Sequence, residues 1–507
     1  MSSRDATAPI QHPDRFFIDG AWLAPSSSSQ FDVLNSGTEQ LFVKVAEAQT
    51  ADVERAVAAA RKAFDEGPWP QLSHAERAGY MKAIANEMRA RAADLAQVWT
   101  TESGAISTAA SVTAPHFAHM WDYYVGLAGT FSFIERHSSA AGGLGLLVRE
   151  PVGVVTAIVP WNLPPAIISA KVAPALLAGC TVIIKTSPEA PVSGYIFAEI
   201  CEKVGLPRGV VNVLTADRAV SEAIVRHPGV DKVTFTGSTG AGRRIASICG
   251  ERIARCTLEL GGKSAAVILD DYDIATAAQE LARNAVFLTG QVCASLTRII
   301  VSRQRHDDLV EALSAEFAAV KVGDPFDVAT QMGPLAMARQ RDRVEGYIAR
   351  GKAEGARLAF GGARPAHLNR GYFIEPTVFG NVHNQAAIAQ EEIFGPVLSV
   401  IPADSEREAI AIANDTIYGL NNSVFTNDVG RAYCAARRLR SGTVGHNASR
   451  SDFSIAFGGF KQSGLGREGG VEGLLPFLET KTVVLAKDIS SKMLNDMNER
   501  LQLADST

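Results

Sequence analysis

The sequence predicts an α/β fold with two parallel-sheet units, and three features carry that prediction. From residue 151 onward, short and wholly apolar strands alternate with helical segments. The strands lack the in–out alternation of a half-solvated sheet, so both faces must be covered. The alternation reaches a break near residue 260 and restarts with AVILD, which sets a second unit apart from the first.

The elements follow in order. FFIDGAW (16–22) and the polar PSSSSQ (25–30) predict a short hairpin region. A helix starts near Asp52, with Val53, Val57, Ala60 and Phe64 on one face and Asp52 and Glu54 at its positive end. Ser73 and Glu76 have capping-box spacing and open another helix. GVVTAIV (153–159) predicts a strand, and PPAIISAKVAPALLAG a helix behind it. TVIIK (181–185) is the next strand, followed by a helix in GYIFAEICEKVG that Gly205 and Pro207 stop. VVNVL (210–214), KVTFT (232–236) and CTLEL (256–260) complete the first sheet. The second unit has a helix from about Asp273 to Leu288, then RIIVS (298–302), EPTVFG, FGPVLSVIP and NSVFT. Two strand-like segments, 129–149 and KTVVLA (481–486), have no helix of their own and are expected to pair with each other and with another subunit.

Composition narrows the function. Lys and Arg number 49 against 54 Asp and Glu, a net charge of −5 that offers no basic footprint to nucleic acid or an anionic membrane. Six cysteines without a CxxC pair and ten unclustered histidines indicate neither a disulfide scaffold nor a metal site. Residues 151–170 are uncharged, but four prolines make them a strand, a turn and a helix start rather than a membrane span. The N-terminus has no apolar secretory core, and a cytoplasmic protein is expected.

Several motifs could carry chemistry. GSTGAG (237–242) follows a strand and opens a helix, so its N–H groups could face a phosphate; alone, the spacing serves a plain turn equally well. GQVCAS (290–295) sets Cys293 beside the small Gly290 and Ala294, and a buried inert thiol is the competing reading. In LELGGKS (258–264), Glu259 ends an apolar strand, where burial should raise its pKa toward that of a general base. PWNLPP (160–165) could aim the Asn162 amide at an oxyanion, or simply cap a turn. Phe394, Gly395 and Pro396 in EEIFGPV are similarly ambiguous.

Taken together and in order with TVIIKTSPEAP, NDTIYGL and FGGFKQSGLGREGG, these motifs resemble the NAD(P)-dependent aldehyde dehydrogenase superfamily over nearly the whole chain. The resemblance implies a Rossmann-like cofactor domain (1–128 and 150–259), a flap (129–149), a catalytic domain (260–472), an oligomerisation strand (473–495) and a tail (496–507). It implies that Cys293 attacks an aldehyde, that Asn162 and the Cys293 N–H hold the oxyanion, and that Glu259 activates the hydrolytic water. Glu479 is expected near the water path. The cofactor would lie on Pro160, Trp161, Lys185, Glu189, Gly237, Ser238, Leu260, Gly261, Glu392 and Phe394. Strict NAD users place a glutamate three residues after the lysine; here Pro188 stands there and Glu189 follows, so NAD is expected and NADP stays open. Leu163, Ala166, Ile167, Ala170, Phe287, Val292, Phe453 and Phe457 are expected to line a wide apolar tunnel for an aromatic, terpenoid or long-chain aldehyde. A homodimer or homotetramer is implied. Two rivals remain: a CoA-acylating relative, against which Glu259 argues, and a non-catalytic nucleotide-binding relative.

Overall fold

The structure is a computed structural model and describes residues 7–140, 142–490 and 493. Two large sheets organise it. The first has eight strands, in the order Gly464–Leu465, Arg255–Glu259, Lys232–Thr236, Val154–Ile158, Thr181–Thr186, Val211–Thr215, Phe16–Ile18 and Ala21–Leu23. Its five central strands are parallel, whereas the N-terminal hairpin and Gly464–Leu465 close the edges antiparallel. Every residue of Val154–Ile158, Thr181–Thr186 and Val211–Thr215 is buried, as unbroken apolar runs between two helical layers require. One layer packs a core around Trp99, Trp121 and Leu176, and the other a core around Val57, Ile224 and Ile248.

The second sheet has seven strands, in the order Arg357–Phe360, Thr377–Gly380, Val397–Ala403, Leu296–Ser302, Ser264–Ile268, Asn421–Phe425 and Thr443–His446, with Arg357–Phe360 alone antiparallel. Only four residues separate Arg255–Glu259, in the first sheet, from Ser264–Ile268, in the second. The GREGG region crosses back, since Gly464–Leu465 pairs with Leu258 and Glu259.

The capping box at Ser73 forms, with Ser73 Oγ accepting from the Glu76 N–H and Glu76 accepting from the Ser73 N–H at 2.7 Å. The two orphan segments do pair: Leu478–Leu485 runs antiparallel to Leu144–Pro151, which pairs in turn with Ile134–Ser138. This three-stranded sheet keeps Leu478–Leu485 as an outer strand. The predicted 496–507 tail lies outside the described residues. Among the described residues, no helix is long and apolar enough to cross a membrane, and no group of His, Cys, Asp and Glu could hold a metal ion.

Candidate active site

Cys293 sits in a loop whose backbone is set by residues of unusual conformation. Helix Ile274–Val286 ends, and Leu288, Thr289 and Gly290 follow with φ of 49°, 54° and 71°. At Gly290 a Cβ would lie 2.3 Å from the Gly395 carbonyl carbon, and at Gly262 it would lie 2.5 Å from the Cys293 oxygen. These two glycines let the cysteine loop press between LELGGKS and EEIFGPV. Gln291 then pins the loop: its amide donates to the Ser103 and Leu288 carbonyls and accepts from the Ala336 N–H.

The Cys293 thiol is held up to about 12, first by burial and then by the carboxylates of Glu392 and Glu259. Its own N–H and that of Ala294 work in the opposite direction. The thiol is therefore protonated at neutral pH and would need a base to act as a nucleophile. Asn162 Nδ2 donates to the Gln291 carbonyl at 2.9 Å, and the Asn162 carbonyl accepts from Trp99 Nε1 at 2.8 Å. The amide is thus fixed two residues from the cysteine, with its second N–H unused by that bond.

Glu259 is buried, and neither carboxylate oxygen has a hydrogen-bond partner. Burial and the neighbouring Glu468 push its pKa well above the usual carboxylate range, and Lys171 and Arg467 oppose the rise. Gly458 leaves room for it: a Cβ there would meet Glu259 Oε1 at 2.5 Å. Glu468 accepts from Lys171 Nζ at 2.5 Å, and the same ammonium donates to Thr234 Oγ1 at 3.2 Å. The carboxylate beside Glu259 is therefore Glu468. Glu479 stands on the outer strand, where it is half-buried and ion-paired with Arg255 at 2.7 Å, which corrects the sequence-based expectation. Sequence reasoning passed over Lys171, although a single lysine in an otherwise apolar helix is a signal that such a partner exists.

Several of the predicted cofactor residues lie along one edge of the first sheet, where Ile158 aligns with Lys185 and Thr236 with Glu259. Ser238 caps helix Thr239–Glu251, and Gly237 donates its N–H to the Glu259 carbonyl at 3.0 Å. Lys185, at the end of Thr181–Thr186, is buried, and burial lowers its pKa to about 8. Glu392 accepts from the Gly262 N–H at 3.2 Å and is raised to about 7 by burial. A Cβ on Gly261 would strike that carboxylate at 2.4 Å. Phe394, held at φ 60°, meets Trp161 edge-to-face at 5.3 Å, and Gln340 secures its carbonyl at 2.7 Å. Pro160 and Trp161 are half-buried above it, and Leu260 packs under Gly242. Thr236 Oγ1, just before Gly237, is buried without a partner. A helix N-terminus, an orphaned hydroxyl and glycines that bring backbone close together fit a dinucleotide.

Val292, Phe453 and Phe457 cluster with Cys293, the two phenyl rings stacked at 4.5 Å. Phe453 also borders a cavity of about 340 Å³ whose wall includes Met120, Tyr123, Ala166 and Phe117. No lysine or arginine lines it; His116, His119 and Asp452 stand in the wall instead. Leu163 and Ile167 are half-buried beside Ala166, while Ala170 is buried in the core. The helix before Phe287 ends at Val286, and the Phe287 ring meets Trp99 at 6.4 Å beside Gly104 and Ile106.

A family model, the aldehyde dehydrogenase family, matches residues 22–483. The chain belongs to that family. This aldehyde dehydrogenase is 43% identical over 477 residues to geranial dehydrogenase of Castellaniella defragrans, covering 94% of this chain and 99% of the relative. It is 41% identical to 3-succinoylsemialdehyde-pyridine dehydrogenase of a Pseudomonas species, covering 92% of this chain and 98% of that one. Among solved structures, a Mycobacterium tuberculosis aldehyde dehydrogenase complexed with NAD+ superposes with a TM-score of 0.91 at 44% identity, covering 93% and 98% of the two chains. Aldehyde dehydrogenase C of Pseudomonas syringae, a mutant complexed with NAD+ and octanal, also gives 0.91 at 38% identity, covering 95% and 98%.

Proposed function

We propose that this aldehyde dehydrogenase oxidises a hydrophobic aldehyde to its carboxylic acid with NAD+, through a covalent thioester on Cys293. The observation that carries the reading is the unpartnered carboxylate of Glu259 in the same cleft as the Cys293 thiol. Glu259 and Glu392 both raise the thiol, so either carboxylate is close enough to influence its proton. Cys293 releases its proton to solvent, and the thiolate attacks the aldehyde carbon and gives a thiohemiacetal oxyanion. The Asn162 amide and the Cys293 N–H hold the resulting oxyanion, which would otherwise lie in a largely apolar pocket. When bound, the nicotinamide supplies the hydride acceptor, and Lys185, Gly237, Ser238, Leu260, Gly261, Glu392, Phe394, Pro160 and Trp161 would hold the dinucleotide. Glu259 then takes a proton from water, which attacks the thioester, while Glu468 and Lys171 set the charge around that base. The intact base favours hydrolysis over transfer to CoA.

The apolar side of the cavity at Phe117, Met120, Ala166 and Phe453, with no lysine or arginine in the wall, supports a hydrophobic substrate over a carboxylated one. The relatives named for geranial and crystallised with octanal agree with that class. We also assign the outer strand Leu478–Leu485, with Val484 exposed on it, to a homodimer or homotetramer contact. Six unpaired cysteines suit a cytoplasmic setting.

The test is absorbance at 340 nm with octanal and NAD+. Turnover is expected in the wild type, none in Cys293→Ala, and a single burst of NADH without turnover in Glu259→Gln. Steady turnover by Cys293→Ala, or CoA-dependent product without free acid, would overturn the mechanism.

A further inference from the structure

Two cysteines that the aldehyde reaction does not use meet near the start of the strand that carries Glu259. Cys249 is in the last turn of helix Thr239–Glu251, and Cys256 is the second residue of Arg255–Glu259. The link between them is a tight reversal. Ile253 takes φ 57°, its N–H donates to the Gly250 carbonyl at 3.3 Å, and the Ala254 N–H donates to the Cys249 carbonyl at 2.9 Å. This is a Schellman stop, which turns the chain back over the last helical turn. Strand alternation then decides which way Cys256 points. Thr257 accepts a hydrogen bond from Lys232 on one face of the sheet. Cys256 and Leu258 pack on the other face, in the core that holds Ile248 and Cys249. There the Cys249 thiol donates to the Cys256 sulfur. That bond holds Cys256 below the ordinary thiol range; burial opposes it and Lys232 assists. The same bond, with burial, pushes Cys249 up.

The two sulfurs are suited to different steps. Cys256 is half-buried and inclined to the thiolate, whereas Cys249 is buried behind it and keeps its proton. Cys293, by contrast, is held protonated by burial and two carboxylates. Peroxides oxidise thiolates far faster than thiols. We propose that Cys249 and Cys256 form a reversible disulfide site for hydrogen peroxide, oxidised ahead of Cys293. The Cys256 sulfur attacks one peroxide oxygen, the O–O bond breaks, and a sulfenic acid and water result. The Cys249 sulfur then attacks the sulfenic sulfur, the S–O bond breaks, and a second water leaves with the Cys249 proton. Two thiols and one hydrogen peroxide thus give one disulfide and two waters. The new bond ties helix Thr239–Glu251, capped by Ser238, to the strand that ends at Glu259.

Peptide mapping of the full-length, reduced enzyme tests it. Trypsin cuts after Arg244, Arg252, Arg255 and Lys263, so the two cysteines fall in separate peptides unless bonded. The enzyme is exposed briefly to hydrogen peroxide, quenched, and alkylated in denaturant. The two peptides are expected to appear linked, with the mass of their sum less two hydrogens, and to separate on adding dithiothreitol. Cys293 should lose its free thiol at least about tenfold more slowly than the pair. Cys249→Ala should stop at a Cys256 sulfenic acid that dimedone captures, and Cys256→Ala should leave Cys249 reduced. Absence of the linked pair, oxidation of Cys293 before it, or oxidation of Cys249 in Cys256→Ala would overturn the assignment. The wild-type map decides the matter even where a variant fails to fold.

Discussion

Replacing Lys171 with Met isolates what the ammonium does for the base. Lys171 is fully buried and its pair with Glu468 is almost so, with the two atoms 2.5 Å apart. Removing one partner leaves a carboxylate buried without compensation, which costs about 3–5 kcal/mol. Lys171 opposes the rise in the Glu259 pKa, so its loss should drive that pKa further up. A general base works deprotonated, hence the acid limb of the kcat–pH profile should move to higher pH, by about one to two units. Glu468→Gln removes the charge that raises Glu259, and its acid limb should move the other way. The double variant, Lys171→Met with Glu468→Gln, takes both charges out and should melt well above the sum of the two single losses. Thermal melts followed by tryptophan fluorescence, together with kcat from pH 5 to 10, measure both effects. Additive melting losses, or two single variants shifted in the same direction, would refute the idea that this pair tunes Glu259.

Three further outcomes can be checked. Gly458→Ala should lower kcat by at least about tenfold, since its Cβ would fall 2.5 Å from Glu259 Oε1 at a φ of +149°; NAD+ affinity should change far less. Alkylation of Cys293 by iodoacetamide, in enzyme free of ligands, should climb about tenfold per pH unit from pH 7 to 9 and show no plateau, because the thiol titrates near 12. Peptide mass spectrometry at Cys293 follows it, and a plateau below pH 9 would contradict the burial account. Ala166→Trp should fill part of the 340 Å³ cavity and raise KM for octanal more than for acetaldehyde, as measured by initial rates.

How far the sequence carried the reading depends on the range of the interactions. Parallel strands such as TVIIK and VVNVL were legible because burial on both faces leaves an unbroken apolar run, and both appear within a residue of their expected bounds. Cys293, Glu259 and Asn162 stood out as local motifs, but each had a competing local reading, and their proposed roles came from the ordered set of motifs. Glu468 was not, because its meaning comes from Lys171, 297 residues away in the chain, and no local spacing records that contact. Glu479 misled for the converse reason: a carboxylate close to the end of the chain is unplaced until its strand finds Leu144–Pro151. Phe287 depended on a single turn, where the left-handed backbone at Leu288 and Thr289 follows directly after it.

The crossing between the two sheets has a consequence for how such an enzyme can change over time. Glu259 ends one sheet, Gly261 and Gly262 touch Glu392 and Cys293, and Ser264 begins the other sheet, all within six residues. The proposed base lies on this short ribbon, and the Cys293 loop and Glu392 pack against it, so an insertion or deletion there would misalign all three together. The apolar wall at Met120, Ala166 and Phe453 comes from separate stretches that the ribbon does not hold. New aldehydes can be explored by altering the wall residue by residue, with the reaction itself inherited intact.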